Sequence, residues 1–438
     1  MDIGFYKLNE IDTETYNRIL KRAEANIDNT TALVQPIIDN VRLNGDAALI
    51  EYAQKFDGAT LSNLKVSEDE FAQARQTLDP KVKEAIDHAA GNVRKFHAEQ
   101  LKRMEKDKEW IIEIEAGVFA GEKITPISSV GLYVPGGKNQ YPSAVYMLGI
   151  PATLVGVPNI VMMTPPRSDG TIGDALLYAA EISGVKEIFK VGGAQAIAAM
   201  AYGTETVPSI HKVLGPASPY GAAAKQLLSG VINAGMPAGP SDAIILCDES
   251  ADPHNTILDI LNEAEHGPDS ASLLVTHDSK LAEEVHQKLP DYINALPEPQ
   301  RGYLIHNMKH YSGVILTDSI QLSIDFCNDY AAEHLLVKVA NADEIVPQIL
   351  NAGEILIGES APSSLANYAV GVNHVLPTGG KAHSYSCTSI WDFLKRTSIV
   401  KTTPEGFNGL KKTVTELTDY EGFPAHGNVL RQRNLKNS

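Results

Sequence analysis

Residues 261–270, "LNEAEHGPDS", place Glu263 and His266 three positions apart near the end of an apolar-periodic stretch. On a helix that spacing puts both side chains on one face, where they suit two ligands of one divalent ion. The stretch reads equally as a solvated helix end before a Gly-Pro break, and Glu265 is best read that way. Residues 330–337, "YAAEHLLV", set Glu333 beside His334 just ahead of an apolar strand. An adjacent acid and base can serve two proton transfers at one reacting carbon. Taken alone, the pair is more simply a loop Glu-His at a strand start.

Glycine pairs mark two further places. Gly136-Gly137 closes "VGLYVPGG", and Gly192-Gly193 runs into "AQAIAAM". Glycines between a strand and a helix let a backbone approach a phosphate, and the helix N-terminus favours its charge. The G-x-G-x-x-G fingerprint is absent, so a plain strand-to-helix turn explains this spacing more simply. His374 in "GVNHVLPTGG" and His426 in "EGFPAHGNV" are lone histidines near Gly or Pro. A structural hydrogen bond is the default role for each.

The elements that must position these residues alternate. From residue 130, short apolar strands ("VGLYV", "NIVMMT", "EIFKV", "KVLGP") are separated by helical stretches of ten or more residues. A second series follows in "DAIILCD", "ASLLVTH", "SGVILTD", "HLLVKV" and "EILIG". Such runs indicate parallel βαβ units. The two series meet near "AGMPAGPSD", residues 234–242, whose Gly and Pro content suits a crossover. The first 120 residues read mostly as amphipathic helix, and the last 50 as a small helical tail. The class is therefore α/β, with two parallel-sheet units, a helical N-terminal region and a C-terminal tail. The expected boundaries are an N-terminal arm over 1–24, a discontinuous first α/β domain over 25–132 and 242–386, a second over 133–241, and the tail over 387–438.

A chain of 438 residues is too long for one compact core. Its 43% hydrophobic and 21% charged content suits a soluble globular enzyme. Asp plus Glu outnumber Lys plus Arg by 54 to 37, a formal net charge of −17. That surplus argues against nucleic acid or an anionic membrane as partner. The three cysteines, Cys247, Cys327 and Cys387, form no CxxC pair, so neither a disulfide framework nor a thiolate zinc site is expected. The N-terminus lacks an apolar signal core, and a cytoplasmic location is expected. The uncharged run Asn139–Pro166 is long enough to span a bilayer, but its prolines and glycines make it a buried helix, a turn and a strand.

Several stretches together resemble the histidinol dehydrogenase family, in the family's order and over nearly the whole chain. They are "VGLYVPGG", "PSAVYMLGIPA", "VGGAQAIAAMAYGTETVP", "MPAGPSDA", "AEHGPDSASLLVT", "YAAEHL", "NHVLPTGG" and "EGFPAH". The resemblance implies a zinc-dependent, NAD-linked homodimer with two Rossmann-like domains and a tail that reaches the partner's active site. The family's usual member oxidises L-histidinol through the aldehyde to L-histidine with two NAD. By this resemblance Glu333 is the acid that activates water in the second oxidation, and a neutral His334 is the base. Zinc ligands are implied at Glu263, His266, Asn367 and His426, the last through the tail that in the family reaches the partner's site. Ser241, His374 and Glu421 resemble substrate-pocket residues, and Tyr133, Gln195 and Ser218 fall where NAD is contacted.

The departures are specific. Glu263 stands where the family has glutamine, and Asn367 where it has aspartate, so an amide and a carboxylate have traded places with the ligand charge unchanged. The family's "GPGN" is "GPAS" here, with Ser218 at the asparagine. Lys138 follows the glycine turn where a small residue is usual, and Gly235 replaces an aspartate. A cation at Lys138 would suit an anionic substrate, and a solvated loop lysine is the alternative. These changes lie at metal, cofactor and substrate. They point to another small polar primary alcohol, as in the related dihydroxypropanesulfonate dehydrogenases. A non-catalytic binding protein on a decayed dehydrogenase fold is the rival reading.

Overall fold

The computed structural model describes residues 1–22, 27–136, 140–237 and 239–435, with side chains of the second stretch from 30 onward. The chain divides into two units, Met1–Ala98 with Ser128–Phe393, and Glu99–Ile127 with Leu394–Ser438.

The first unit holds two parallel sheets. The larger contains β1 (Gly4–Lys7), β8 (Asp242–Cys247), β9 (Ala271–Thr276), β10 (Gly313–Leu316), β11 (His334–Lys338) and β12 (Glu354–Ile357). Their order is β1-β10-β9-β8-β11-β12, with every neighbouring pair parallel. Counted from β8, the last five strands wind as 3-2-1-4-5, a Rossmann-like order. The smaller sheet contains β4 (Ser129–Tyr133), β5 (Asn159–Thr164), β6 (Glu187–Lys190) and β7 (Lys212–Leu214). Its order β6-β5-β4-β7 is the corresponding 3-2-1-4 half. Every residue of β8, β9 and β11 is buried, as expected for strands covered on both faces. The two Rossmann-like sheets read from the sequence are thus present, strand for strand.

Three features differ from the sequence reading. β1 joins the outer edge of β10, although "GFYK" is too short and too polar to stand out. The helix Ile27–Tyr52, which breaks at Gly45 (φ +53), buries Val34, Ile38, Val41 and Leu49 with Val161, Met163 and Ile197. It therefore packs beside the smaller sheet, not with 242–386 as the expected boundary has it. Amphipathicity says that a helix buries a face, and leaves open which sheet receives it.

The third difference lies in the second unit. There β2 (Glu109–Glu115), β3 (Val118–Pro126) and β13 (Leu394–Thr402) form an antiparallel sheet in the order β13-β3-β2. Helices Pro404–Tyr420 and Pro424–Gln432 follow. The tail expected to be helical therefore opens with a strand, paired from Leu394 opposite Pro126 to Thr402 opposite Val118. Its sequence, "LKRTSIVKT", is exposed at most positions and lacks the apolar alternation that marks a half-buried strand. Among the described residues no helix is long and apolar enough to cross a membrane. The run 139–166 forms the buried helix Pro142–Leu154 and then β5.

Candidate active site

The acidic and histidine motifs meet at the amino-terminal edge of the larger sheet. Asp242, His334 and Glu354 are the first residues of β8, β11 and β12. Parallel pairing sets His334 opposite Glu354. The imidazole Nδ1 lies 2.5 Å from Glu354 Oε1, which leaves Nε2 to face Glu263 Oε2 and Glu333 Oε1, each at 3.7 Å. Ser241 Oγ lies 2.8 Å from Glu333 Oε2 and 3.2 Å from Glu263 Oε2, so one hydroxyl bridges both acids. Glu333 and Asp242 exchange bonds: the Glu333 N–H donates to Asp242 Oδ1 (2.9 Å), and the Asp242 N–H donates to Glu333 Oε2 (3.2 Å).

Glu263 sits in the last turn of helix Pro253–Ala264 and is 0% exposed, so it is not the solvated acid of the simpler reading. Glu265 caps that helix and is exposed, as expected. His266 lies just past the helix, its side chain 47% exposed, with Nδ1 3.1 Å from the Glu263 carbonyl. With the Nδ1 proton engaged there, Nε2 is left with its lone pair outward, the form in which histidine binds a metal.

Charge explains why these acids tolerate burial. Burial alone would raise the Glu263 carboxyl, but His334 and His266, with bonds from Ser363 and Ser241, hold it below the usual value. Burial alone would lower His334, but Glu263, Glu333 and Glu354 raise it to about 10. The surroundings thus favour the imidazolium, whereas a neutral base was expected. The third carboxylate, Glu354, escaped the sequence reading and accounts for part of that difference. Glu333 is pushed up to about 8, mainly by burial, with Asp242 and Glu263 adding to it and His334 opposing. The sheet's helices also end at this edge. Carbonyl ends carry partial negative charge and favour cations.

His374 and Asn367 are also brought together: His374 Nδ1 lies 2.6 Å from the Asn367 carbonyl. Burial, little offset by that bond, pushes His374 down to about 4, so it stays neutral with Nε2 able to accept a proton. Asn367 belongs to the short helix Ser363–Tyr368, which packs against helix Pro253–Ala264.

Three residues that the sequence reading missed support the cluster. Glu354 orients His334. Asp242 accepts the N–H groups of both Glu333 and Gly379. Arg22, at φ +53, has its guanidinium over the Tyr330 ring (3.5 Å to the centroid) and 3.5 Å from Asp242 Oδ1, and donates to the Tyr330 carbonyl. No motif marks Arg22, and the only signal for Glu354 was its place at the head of an apolar strand.

The residues expected at NAD collect elsewhere, at the carboxyl-terminal edge of the smaller sheet. Tyr133 ends β4, and its hydroxyl accepts the Gly193 N–H (3.0 Å) at the start of helix Gly193–Tyr202. Gln195 is buried and folds over Gly193, where an added Cβ would lie 2.7 Å from Gln195 Oε1. Ser218 caps helix Pro219–Leu227 by accepting the Gly221 N–H (3.4 Å). An added Cβ would lie 2.5 Å from Pro165 Cβ at Gly192, 2.0 Å from the Tyr133 carbonyl oxygen at Gly215, and 3.0 Å from Thr164 Oγ1 at Gly136. These glycines let three loops close on one another beside two helix N-termini. The pyrophosphate of a dinucleotide fits such an edge. Lys138 lies outside the described residues.

Glu421 and His426 belong to the second unit. Glu421 caps helix Pro404–Tyr420, and the His426 ring lies beside Phe423, with centroids 5.4 Å apart. Among the described residues, no group of three or more His, Cys, Asp or Glu is spaced to hold a metal ion.

Comparison with known proteins agrees with this architecture. Residues 20–434 match the family model described as histidinol dehydrogenase. The chain is 50% identical over 429 residues, 98% of each chain, to a histidinol dehydrogenase from Synechocystis sp.. It is 42% identical over 431 residues, 98% of this chain and 96% of the other, to a protein from Colwellia psychrerythraea named a histidinol dehydrogenase homolog. The crystal structure of histidinol dehydrogenase from Elizabethkingia anophelis superposes with a TM-score of 0.89 at 34% identity, covering 98% of this chain and 97% of that one. The chain belongs to the histidinol dehydrogenase family, NAD-dependent oxidoreductases that act on CH–OH groups.

Proposed function

We propose that this enzyme is a zinc-dependent, NAD-linked dehydrogenase that carries a small polar primary alcohol through the aldehyde to the carboxylate. The observation that carries this reading is the buried cluster of Ser241, Glu263, Glu333, His334 and Glu354. In it one imidazole and one separate acid face the same space. With a cation held at Glu263 to offset the carboxylate charge that favours the imidazolium, His334 would be neutral and would take the hydroxyl proton at Nε2, with Glu354 holding the ring. Glu333, whose raised carboxyl gives it the basicity to do so once ionised, takes a proton from water in the second oxidation, with Ser241 holding it in place. His374, neutral and half-buried, receives a hydrogen bond from the substrate.

The donor set suits zinc. Glu263 offers a carboxylate oxygen, His266 an imidazole nitrogen and Asn367 an amide oxygen, with the equivalent of His426 in the other chain's tail as fourth ligand. When bound, zinc supplies a positive charge that orients the alcohol and favours its deprotonation. The exchange of amide and carboxylate keeps the ligand charge and moves it to the Glu263 side. We place NAD at Tyr133, Gln195 and Ser218, where the glycine-lined edge and two helix N-termini support it.

The reading includes a homodimer in which one chain's Glu421 and His426 serve the other's site. The edge strand β2 supports it: all seven residues of Glu109–Glu115 are exposed, among them Trp110, Ile111, Ile112 and Ile114. An edge strand that exposes Trp110, Ile112 and Ile114 on one face favours a partner over water.

The departures, with Lys138 near the glycine turn, favour an anionic diol. The 50% identity to a protein named histidinol dehydrogenase favours histidinol itself as the second reading. NADH formation from histidinol and from small anionic diols decides between them. Efficient histidinol turnover, unchanged by Lys138→Ser, would remove the anionic substrate. Zinc is tested by a reciprocal cycle of Glu263→Gln, Asn367→Asp and the double variant. Each single change alters the site charge by one, and the double restores it. Zinc content per chain should fall in each single variant and recover in the double. Wild-type protein that takes up no zinc and works equally well in chelator would sink the metal assignment.

A further inference from the structure

The carboxyl-terminal edge of the smaller sheet has buried polar atoms that no described residue satisfies. Among the described residues, Thr164 Oγ1 at the end of β5 and Asp57 Oδ2 have no hydrogen-bond partner. Asp57 ends the helical turn Ala53–Asp57, and Gly58 (φ +68) closes it with a bond to the Ala53 carbonyl. Tyr52, Ala53, Ala59 and Leu61 around it share one core with Tyr133, Met163 and Phe189, which lie at or near the ends of β4, β5 and β6. Gly58 lies next to Ser168, with 3.9 Å between its added Cβ and the serine Cβ. The charge of Asp57 also acts on the Tyr133 hydroxyl. The carboxylate therefore sits where β4 and β5 end.

Stability does not explain an acid there. Burial pushes its carboxyl up to about 6, and the carbonyl end of a helical turn is a poor place for negative charge. A buried acceptor left without a donor costs stability, so its presence points to a ligand that supplies donors.

Topology indicates which ligand. In a 3-2-1-4 sheet that binds a dinucleotide, the adenosine ribose lies by the ends of strands 1 and 2, and an acid at strand 2 accepts its hydroxyls. Here strand 2 is β5, followed by Pro165, Pro166 and Arg167. The next acid, Asp169, is exposed and already engaged by the N–H (2.9 Å) and hydroxyl (2.6 Å) of Thr171. Arg167, a cation that would suit a 2′-phosphate, faces the side-chain amide of Gln140. We infer that Asp57 supplies the missing acid from the overlying helical turn, accepting the ribose hydroxyls of NAD and opposing a 2′-phosphate. This rests on the placement of NAD at this edge in the reading above.

The test is direct binding of NADH and NADPH to the full-length protein, followed by cofactor fluorescence, for wild type, Asp57→Asn and Gln195→Ala. Loss of a charged acceptor should raise the Kd for NADH by roughly tenfold in Asp57→Asn. The Kd for NADPH should fall in the same variant, so that the preference between the two narrows from both sides. The melting temperature of the ligand-free protein should hold or rise. A residue that only supported the fold would weaken both cofactors together and lower the melting temperature, and that pattern would overturn the inference. If Gln195→Ala weakens NADH binding while Asp57→Asn leaves both Kd values unchanged, the role of Asp57 is wrong and the placement stands. If neither variant changes NADH binding, the placement at this edge falls, and the inference with it.

Discussion

The two parallel sheets of the first unit wind alike but present their functional residues at opposite ends. The smaller, β6-β5-β4-β7, offers its carboxyl-terminal edge, with glycines and helix N-termini. The larger, β1-β10-β9-β8-β11-β12, offers its amino-terminal edge, with Asp242, His334 and Glu354 at the heads of three strands. In a right-handed βαβ unit the helices run back against the strands, so helix N-termini gather at one edge and C-termini at the other. One edge is suited to an anion such as pyrophosphate, and the opposite one to cations. The larger sheet's edge holds Arg22 at the Tyr330 carbonyl, His266 at the Glu263 carbonyl and a charged His334. The divalent metal proposed for this edge would be favoured there for the same reason. On the placement proposed above, the familiar expectation that α/β ligands sit beyond the strands' carboxyl ends would describe only the cofactor half of this enzyme.

The largest effects should come from breaking the amino-terminal edge. His334→Asn removes the base, and alcohol oxidation should slow by roughly 10²- to 10⁴-fold. Glu333→Gln should mainly slow oxidation of the supplied aldehyde, since water enters only in that step. Steady-state NADH formation from alcohol and from aldehyde separates the two. Wild-type rates for both variants on both substrates would show that this edge does no chemistry. Neither change should alter NADH binding if the edges divide the work as argued.

Glu354→Gln tests how the edge holds its histidine. The register of β11 and β12 places Glu354 against His334 Nδ1 at 2.5 Å. An amide can turn either its oxygen or its nitrogen to that ring, so orientation and charge are both weakened. Partners of this kind are worth roughly 10- to 100-fold. Turnover should fall by about that much with KM for NAD unchanged. Loss of NAD affinity instead would mean that Glu354 serves the fold between the sheets rather than His334.

Much of this was legible in the sequence, and the rest was hidden for physical reasons. Every strand of the smaller sheet, and all of the larger one but β1, stands out because buried parallel strands are short apolar runs. The Glu-His pairs were visible too, but on spacing alone each read as an ordinary helix end or loop. What joins them is strand register: His334 and Glu354 are twenty positions apart, and only parallel pairing sets them side by side. Arg22 and Asp242 were unreadable for a similar reason, since the bonds that define their role reach across the fold. The strand β13 went unread because an exposed, charged strand lacks a buried face to impose alternation, and β2 and β3 were absorbed into the helical reading of the first 120 residues. Which sheet receives helix Ile27–Tyr52 is a tertiary choice that its own pattern does not contain.

The smallest expected effect compares a buried cation at each edge. His334 is raised because three carboxylates surround it. Lys225, in helix Pro219–Leu227 by the smaller sheet's carboxyl-terminal edge, is buried with one neutral partner, the Gly215 carbonyl at 2.6 Å. Burial pushes it from 10.5 down to about 8. The sign follows from proton counting. Between those two values the unfolded chain holds the Lys225 proton more than the folded protein does, so stability rises with pH across that window. Below pH 8 both states are charged and the fold bears the full cost of burying the ammonium, at most about 3 kcal/mol. Lys225→Met removes the titration, and with it this part of the rise, while leaving the Gly215 carbonyl short of a donor at every pH. Denaturant unfolding at intervals from pH 7 to 10.5 should therefore show wild type gaining on the variant as pH climbs through 8. Parallel curves would mean that Lys225 is solvated or paired in solution. The two edges would then differ in the sign of the ion they favour without differing in how they treat a buried positive charge.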